Sequence, residues 1–440
     1  MFTQLPFFSE TSLWTSVDAV YQDGGRFAKP FDNWMVRMVL AIASASLSHR
    51  RLTDNCQRAM YLVSAALDYV EDVLLPGSMA GMQAILLLAQ YSLVDPEHFR
   101  PRFLVGFAAR VMVDLGLHQD PPAEVFSDKN SLEQRRRLFY CIYSLDRFDC
   151  SSPAFFAGAD FYFRVVSTAS GQAFSLSDDS VNVTLPYIPT SAPAAAQGPD
   201  TPVFLKSLEP AVHLIKIRRI LSMGYQEMYF NGHKPSPHPL VLTWTLCANA
   251  RDWYDKAPTN TPTYVSLLYR LELLYSMILF LSPSHRDPVI CDFSKVLLFD
   301  RCIDYISQLH QVIENPTGLP FATYLDIQRV YQVGQRFVEI LTQSYDLLLS
   351  NTVPELPSVP PGTPEPPYLA AEDRINCLAR AVRCLTYTRD VLQYGFRRWN
   401  MRQLLDDFTR DSTAIKQRLM QAQEPYSAGY GMPSSSWPSR

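Results

Sequence analysis

The chain has 440 residues, of which 47% are apolar, 12% aromatic and 19% charged. This composition is typical of a folded protein that buries its own core, and it excludes a wholly disordered chain. The formal net charge of -4 excludes attraction to nucleic acid by bulk positive charge. The eight cysteines lie far apart and form no C-x2-C pair, so we predict no structural zinc site.

Apolar residues recur at helical spacing through the first third of the chain. They predict five helices, at 32–49, 53–75, 78–93, 101–117 and from Ser131 onward. Ser131 and Gln134 form a capping box in front of the fifth helix. The longest uncharged run, 73–94, is interrupted by Pro76 and Gly77, which leaves too few apolar residues to span a bilayer. We therefore expect no membrane insertion.

The rest of the chain alternates between helical and proline-rich segments. Residues 160–185 lack helical periodicity, and residues 186–202 have the composition of a low-complexity linker. Helical spacing returns at 204–230, 240–256, 262–281, 293–314, 324–350, 370–399 and 402–423. Seven prolines between 354 and 367 predict an extended loop, and residues 424–440 predict a disordered C-terminal tail. The predicted fold class is all-α, a large array of about ten to twelve helices with Pro-rich loops.

One acidic cluster raises an enzyme hypothesis. Asp406, Asp407 and Asp411 are spaced as in the aspartate-rich motif of class I isoprenoid synthases, in which carboxylates on one helix face hold magnesium against a diphosphate. The alternative interpretation is a solvated acidic helix face paired with basic residues of the same helix, namely Arg402, Arg410 and Arg418. Motifs of hydrolases, P-loop NTPases and dinucleotide-binding enzymes are absent from the sequence, so we predict no catalytic residue, no metal and no cofactor.

Three consecutive arginines, 135–137, follow the start of the fifth helix. They are too few for a nucleic-acid patch, and basic residues in a first turn oppose the helix dipole. We therefore predict that they form structural ion pairs, with Glu133, Asp114 and Asp146 as candidate partners.

Four segments in a fixed order resemble a known family. They are AGMQAILLLAQY at 80–91, GFAARVMVDLGLHQD at 106–120, EQRRRLFYCIYSLDR at 133–147 and FSLSDDSVNVTLP at 174–186. Together they are similar to the fungal-specific transcription factor domain, the middle homology region of zinc-cluster regulators. The resemblance covers roughly residues 5–280. Each segment alone is a weak signal, whereas their succession is specific.

The resemblance implies an all-helical regulatory domain over 1–280 without catalytic residues. The helices at 281–423 form an expected C-terminal extension, continuous with that domain and interrupted by the Pro-rich loop 352–367. In the family, a Leu-Gly-Leu-His turn ends a core helix, and a Glu-x-x-Arg-Arg helix ends in Asp-Arg. The residues that match these structural motifs are Arg110, Leu115, Gly116, Leu117, His118, Glu133, Arg136, Arg137, Asp146 and Arg147.

The resemblance also implies a nuclear transcription regulator and not an enzyme. Family members normally carry a zinc cluster of six cysteines before this domain, and the sequence contains no such cluster. We therefore expect DNA to be contacted indirectly, through a partner or a missing N-terminal segment, with zinc only in that segment. Further expected partners are transcription machinery or regulator proteins, a small-molecule effector and a second copy of the chain. The alternatives are the magnesium-dependent isoprenoid synthase-like enzyme and a helical adaptor without a transcriptional role.

Residues 148–164 depart from the spacing of the family. The sequence on either side would join smoothly without them, and they are aromatic, lack periodicity and correspond to a whole number of codons. We predict that this segment is translated intron, which a transcript lacking those codons would support.

Overall fold

The computed structural model describes residues 4–48, 53–75, 77–122, 128–150, 174–188, 208–230, 238–259, 261–284, 286–314, 322–369 and 371–423. Within these ranges the chain forms 15 α-helices and no β-strand, apart from one isolated bridge between Gln119 and Asn182. The all-α prediction is confirmed, and the predicted count of helices is slightly low. Most of the segment 148–164, most of the linker 186–202 and the whole tail 424–440 lie outside the described residues.

The helices fall into two successive groups. The first group contains α1 (Glu10–Tyr21), α2 (Pro30–Ser46), α3 (Asp54–Leu67), α4 (Val70–Val73), α5 (Met79–Ser92), α6 (Pro101–Asp114) and α7 (Lys129–Cys150). The second group contains α8 (Glu209–Tyr225), α9 (Pro239–Asp255), α10 (Thr263–Leu281), α11 (Asp292–Glu314), α12 (Tyr324–Gln343), α13 (Tyr345–Leu349), α14 (Cys377–Trp399) and α15 (Arg402–Gln423).

The extra helices have local causes. The predicted helix 53–75 is divided between α3 and α4, and the predicted helix 324–350 is divided at Ser344, whose φ of -132° and ψ of 41° are not helical. Helix α1 was not predicted at all. Ser9 caps it by accepting a hydrogen bond from the Ser12 N–H at 3.0 Å, but only Leu13 and Ser16 are buried. So narrow a buried stripe gives almost no periodic signal.

Each group of helices encloses its own apolar core. The first core is built mainly from α1–α7 around fully buried side chains such as Trp34, Leu86 and Phe139, and Ile215 of α8 and Leu325 of α12 also pack into it. The second core is built from α8–α15 around Trp244 and Phe299. We call them the N-terminal core and the C-terminal core. The boundary at residue 280, drawn from the family resemblance, stays a prediction.

The two cores are joined by hydrogen bonds between residues that are far apart in sequence. The Tyr324 N–H at the start of α12 donates to the Leu93 carbonyl at 3.0 Å. From α14, Trp399 Nε1 donates to the Val94 carbonyl at 2.8 Å, and Arg398 Nη2 donates to the Ala45 carbonyl at 2.8 Å. The ends of α2 and α5 therefore rest on the C-terminal helices.

Helix α10 is the one described helix that is long and apolar enough to cross a membrane by length and composition. More than half of that stretch is buried inside the protein. It also contains Glu272, which is 2% exposed and forms ion pairs with two arginines of neighbouring helices. These contacts are those of a central helix of the C-terminal core.

Candidate functional site

The Leu-Gly-Leu-His turn ends α6 through a defined backbone motif. Gly116 has a φ of +61°, and its N–H donates to the Val113 carbonyl at 2.9 Å. The Leu117 N–H donates to the Met112 carbonyl at 3.0 Å, and the Leu117 side chain is buried. This pair of bonds is the Schellman motif, in which a left-handed residue after the helix satisfies its last carbonyls. Glycine is required there because a side chain would strain that backbone conformation.

The turn directs the next residues along the segment 174–188. The Asp120 N–H donates to the Asn182 carbonyl at 2.7 Å, and the Asn182 N–H donates to the His118 carbonyl at 3.0 Å. From α7, the Tyr140 hydroxyl donates to the Val183 carbonyl at 2.6 Å. Three of the family motifs therefore meet in space, because the turn after α6, the helix α7 and the segment 174–188 contact one another.

Arg136 connects the same three elements. Its Nε lies 3.1 Å from each oxygen of the Asp120 carboxylate, and its Nη2 lies 2.7 Å from Oδ2. The same carboxylate accepts a hydrogen bond from the Thr184 N–H at 3.1 Å. Burial opposes ionisation of Asp120, but the hydrogen bonds from Arg136 and Thr184 outweigh it, so the pKa of Asp120 is lowered. A bidentate arginine at this point fixes the geometry of both chain segments.

The predicted structural role of the three arginines agrees with these contacts, but most of the proposed partners were wrong. Arg135 donates from Nη2 to the Gly116 carbonyl at 3.1 Å. Arg137 pairs with Glu133 at 3.3 Å, and the Glu133 carboxylate also accepts from the Tyr187 N–H at 3.1 Å. The partner of Arg136 is Asp120, which was not among the candidates. Asp114 and Asp146 pair instead with Arg110 and Arg147.

The Asp-Arg pair at the other end of α7 lies where the two cores meet. Arg147 is 1% exposed and donates from Nη1 to Asp146 at 2.6 Å. Its Nη2 donates to the Leu176 carbonyl and to Asp178 Oδ1, each at 2.7 Å, and its Nε donates to Ser222 Oγ at 3.2 Å. The Ser222 hydroxyl in turn donates to Asp178 Oδ2 at 2.6 Å. Because Ser222 belongs to α8, this network joins the last helix of the N-terminal core to the first helix of the C-terminal core.

Aromatic rings enclose the guanidinium of Arg147. Its central carbon lies 4.1 Å from the centre of the Tyr143 ring and 4.2 Å from that of Phe174. The Ser175 N–H donates to the Asp146 carboxylate at 3.2 Å. The two rings and the oxygen atoms that accept hydrogen bonds from every nitrogen of the guanidinium hold Arg147 in one orientation. We call Asp146, Arg147, Asp178 and Ser222 the junction network.

Nine of the ten motif residues lie in or beside these contacts. Arg110 is the exception, since it lies on the exposed face of α6, where it pairs with Asp114 and 77% of its side chain is in solvent. An exposed pair of this kind contributes little to stability. The contacts of Arg110 therefore give no structural reason for its presence in the motif.

The C-terminal core contains a buried ion cluster that sequence reasoning missed. Arg218 Nη2 donates to Glu272 Oε1 at 2.7 Å, and Arg329 Nη1 donates to the same oxygen at 3.1 Å. Burial opposes ionisation of Glu272, but the two guanidinium groups outweigh it and lower its pKa. The one available signal was an acidic residue in the middle of the otherwise apolar helix α10.

A second buried carboxylate lies between α11 and α14. Burial raises the pKa of Asp300 to about 6, although Arg380 Nη1 lies 3.0 Å away and Arg374 Nη1 lies 4.0 Å away. Arg374 is fully buried and donates from Nη2 to the Leu348 carbonyl at 2.7 Å. This arginine therefore binds a carbonyl group at the C-terminal end of α13, and it also lies beside Asp300.

An apolar cleft of about 190 Å³ opens in the C-terminal core. It lies between the π-helical turn after α8, the start of α9, the end of α10 and the loop before α11. Apolar walls come from Met228, Leu240 and Phe280, and polar groups come from Thr243 and Arg286. Mostly apolar walls with a few polar groups are typical of small-molecule sites.

The acidic cluster on α15 is neutralised by its own helix. Arg410 donates from Nη2 to Asp407 at 2.6 Å and from Nε to Asp411 at 3.2 Å. Arg402 pairs with Asp406 at 3.4 Å. These exposed pairs match the interpretation as a solvated acidic face.

Arg418, the third predicted partner, contacts no aspartate of that cluster through a described ion pair. Its guanidinium instead lies 3.6 Å from the centre of the Tyr345 ring. Among the described residues, no three His, Cys, Asp or Glu side chains are grouped so that they could hold a metal ion. The geometry therefore gives the isoprenoid synthase alternative no support.

Comparison with known families gives a match that covers the helices of the N-terminal core. The model of the fungal specific transcription factor domain matches residues 2–152, which confirms the resemblance drawn from the motifs. All ten motif residues and the helices α1–α7 lie in this range. Residues 2–152 are therefore similar to the fungal specific transcription factor domain.

Several curated relatives are named as regulators. Pyrimidine pathway regulatory protein 1 of Saccharomyces cerevisiae is 29% identical over 271 residues, which cover 60% of this chain and 28% of that protein. The positive regulator of purine utilization of Emericella nidulans is 27% identical over 140 residues, covering 26% and 12%. The negative regulator of pleiotropic drug resistance STB5 of Candida glabrata is 23% identical over 155 residues, covering 34% and 14%. The chain thus spans less than a third of each of these relatives, and no solved structure matches it.

Proposed function

We propose that this protein is a nuclear transcriptional regulator in which the junction network transmits the state of the C-terminal core to the family domain. The regulator part of the proposal is supported by the family match over residues 2–152. The junction part rests on Arg147, a family-motif residue of α7 that donates to Ser222 of α8 and to Asp178. The hydrogen bonds of a buried group such as Arg147 are sensitive to small displacements of α7 or α8, because packed interiors do not deform continuously.

Contact with DNA bases is assigned to another segment or to a partner protein. Three arginines of the family motifs are engaged inside the protein, since Arg136 pairs with Asp120, Arg137 with Glu133, and Arg147 with Asp146. The fourth, Arg110, forms an exposed pair with Asp114. The net charge is negative as well. Affinity for DNA needs unengaged positive charge, so regulation here operates through protein contacts. Transcription machinery and a second copy of the chain are the expected partners.

Tethering the chain to a promoter tests the proposal. Fused to an unrelated DNA-binding domain, the wild-type protein should change reporter output in either direction, which an adaptor without a transcriptional role would not do. Ser222→Ala removes the hydroxyl that links α8 to Arg147 and Asp178, and it should shift that output at equal protein level.

Ser276→Ala is the matched control for this substitution. Ser276 is also fully buried in the C-terminal core, but its hydroxyl donates only to the Glu272 carbonyl of its own helix, at 2.6 Å. Equal effects of the two variants would show that general destabilisation, and not the junction, changes the output. No reporter change with the wild-type fusion would remove the regulator proposal itself.

We assign the expected small-molecule effector to the apolar cleft of the C-terminal core. Its walls favour a largely apolar molecule with one or two polar groups. Thr243→Phe fills the cleft and should abolish the fluorescence increase of an anilinonaphthalene sulfonate probe. Thr409→Phe, at an exposed position on α15, should leave it intact. Equal probe binding by both variants would place the apolar site elsewhere.

A further inference from the structure

The loop between α13 and α14 has a backbone that is fixed largely by covalent geometry. Proline holds φ near -65°, and a residue followed by proline is restricted to extended conformations. Between residues 353 and 367, only Glu355, Ser358 and Gly362 are neither proline nor followed by proline. The segment is therefore extended before any partner binds, and the entropy lost on binding is small.

The protein also holds this loop at both ends and near its middle. Ser350 leaves α13 with a φ of -67° and a ψ of 147°, which are polyproline II values. The buried Arg374 donates to the Ser350 carbonyl at 2.9 Å. Leu369 is buried at the far end, and Val359 packs against the C-terminal core. These anchors present the residues between them as a fixed ridge on the surface.

A turn divides the loop into two arms. The Thr363 N–H donates to the Pro360 carbonyl at 3.3 Å, and Gly362 has a φ of +85°. Proline followed by a left-handed glycine is the signature of a type II turn. The first arm comprises residues 353–360 and the second arm residues 363–369.

The first arm carries two exposed pairs of an apolar residue followed by proline. These pairs are Val353-Pro354 and Leu356-Pro357, separated by Glu355. A polyproline II helix has three residues per turn, so residues three apart share an edge. Val353 and Leu356 therefore lie on one edge, and they are 39% and 63% exposed. Domains that bind Pro-rich segments recognise this arrangement in aromatic-lined grooves.

The charged residues within the loop itself have one sign. From Ser350 to Asp373 the charged residues are Glu355, Glu365, Glu372 and Asp373, with no Lys, Arg or His. Glu355 and Glu365 are exposed. A partner with basic residues at the rim of its groove would therefore be attracted, whereas an acidic rim would be repelled.

We propose that residues 353–357 are a docking motif for a protein domain that binds polyproline II helices in an aromatic groove with a basic rim. The two apolar-proline pairs occupy the groove, and Glu355 faces the basic rim. This proposal does not depend on the junction network or on the regulator function, since it needs only the geometry and charge of the loop.

Purified SH3, WW and EVH1 domains with basic groove rims provide the probes. Each is labelled and titrated with the full-length chain, and binding is followed by fluorescence anisotropy. We expect at least one domain to bind with a Kd on the order of micromolar. The double variant Pro354→Ala, Pro357→Ala should weaken that binding by about tenfold or more, and Glu355→Lys should weaken it by about threefold or more.

The second arm supplies the matched control. Pro364→Ala with Pro366→Ala removes the same number of prolines from the same loop and should change the Kd by less than about twofold. Leu356→Ala changes one exposed side chain without altering the backbone restriction, and it should also weaken binding. Thermal melting of all variants checks that the helical body is intact.

Three outcomes contradict the proposal. The first is that no domain of the panel binds the wild-type chain. The second is equal loss of binding in the control and the motif variants, which would place the contact outside residues 353–357. The third is self-association of the wild-type chain in sedimentation velocity that the motif variant abolishes, because the occupant of the ridge would then be a second copy.

Discussion

The N-terminal and C-terminal cores hold their buried charges in different ways. In the N-terminal core, charged side chains around α7 bind backbone groups of the segment 174–188, as Asp120 does with the Thr184 N–H. Around Glu272 in the C-terminal core, charged side chains of separate helices bind one another, as Glu272 does with Arg218 and Arg329. The first arrangement fixes an irregular segment in place, and the second joins helices that are already regular.

This difference explains why the recognisable motifs lie around α6, α7 and the segment 174–186, and not around the ion cluster of the C-terminal core. A charged side chain that supports a turn or an extended segment leaves compact motifs, such as the runs at 115–120 and 133–137. An ion pair between helices leaves single residues far apart, since Arg218 and Arg329 lie on α8 and α12 while Glu272 lies on α10. The comparison predicts that the cores respond differently to removal of one charge.

The largest effect should follow loss of the buried charge in the C-terminal core. Glu272→Gln leaves two buried guanidinium groups without a counter-charge, and we expect the free energy of unfolding to fall by about 3 kcal/mol. Urea denaturation monitored by circular dichroism measures it. Asp252→Asn, which breaks the exposed pair with Lys256, should change stability by less than about 0.5 kcal/mol. Similar losses in both variants would contradict the contrast between buried and exposed pairs.

A smaller loss should follow a change in the turn that ends α6. Gly116→Ala places a side chain on a residue with a φ of +61° and should lower the free energy of unfolding by about 1–2 kcal/mol. Gly106→Ala is the matched control, because Gly106 lies inside α6 and an added Cβ meets no atom within 4 Å. That variant should raise stability by up to about 1 kcal/mol. Destabilisation by both would mean that α6 tolerates no added methyl group, and the Schellman argument would fail.

Removal of Arg136 should loosen the segment 174–188 more than it destabilises the whole protein. We expect Arg136→Gln to cost about 1 kcal/mol, since the pair with Asp120 is partly exposed. Hydrogen exchange of the Thr184 amide, which donates to Asp120, should accelerate. Arg110→Gln, in the exposed pair with Asp114, should leave that exchange unchanged. Unchanged exchange in the Arg136 variant would show that the segment is held by other contacts.

The smallest expected effect at neutral pH concerns His213 in the C-terminal group of helices, whose contribution to stability appears only as the pH falls. Burial, with Lys216 as a second cause, lowers the pKa of His213 to about 4. The unfolded chain takes up the proton near pH 6.5, before the folded protein does, so this residue reduces stability as the pH falls from about 6.5 to about 4. His213→Phe keeps a ring against Trp253, which stacks on it at 4.7 Å, and should flatten that decline by up to about 3 kcal/mol at pH 4.

Comparison at pH 7.5 first isolates any packing cost of the new ring, because His213 is neutral there in both states. The wild-type and variant melting temperatures are then followed to pH 4. Parallel curves over that range would show that His213 does not carry the pH dependence.

Only those contacts of the site that join residues of the same motif or helix could be predicted from the sequence. Glu133 was identified as a partner because it lies one helical turn from Arg137, and the Arg410 pairs were identified for the same reason. Asp120 was missed although it lies within a motif, since nothing in the sequence states that the turn after α6 returns alongside α7. Ser222 carries no signal at all, because a buried serine in a helix resembles many others until its neighbours are known.

The sequence by itself determined most of the helical segments, where proline interrupts them, and the similarity of its ordered motifs to the fungal specific transcription factor domain. These properties depend on residues within a few positions of one another or on motifs in a fixed order. Only the tertiary structure decided that the helices enclose two cores, that Arg147 joins the two groups of helices, and that Glu272 is paired twice. Packing between distant segments sets those contacts, and it places Val353 and Leu356 in solvent while Val359 packs against the core.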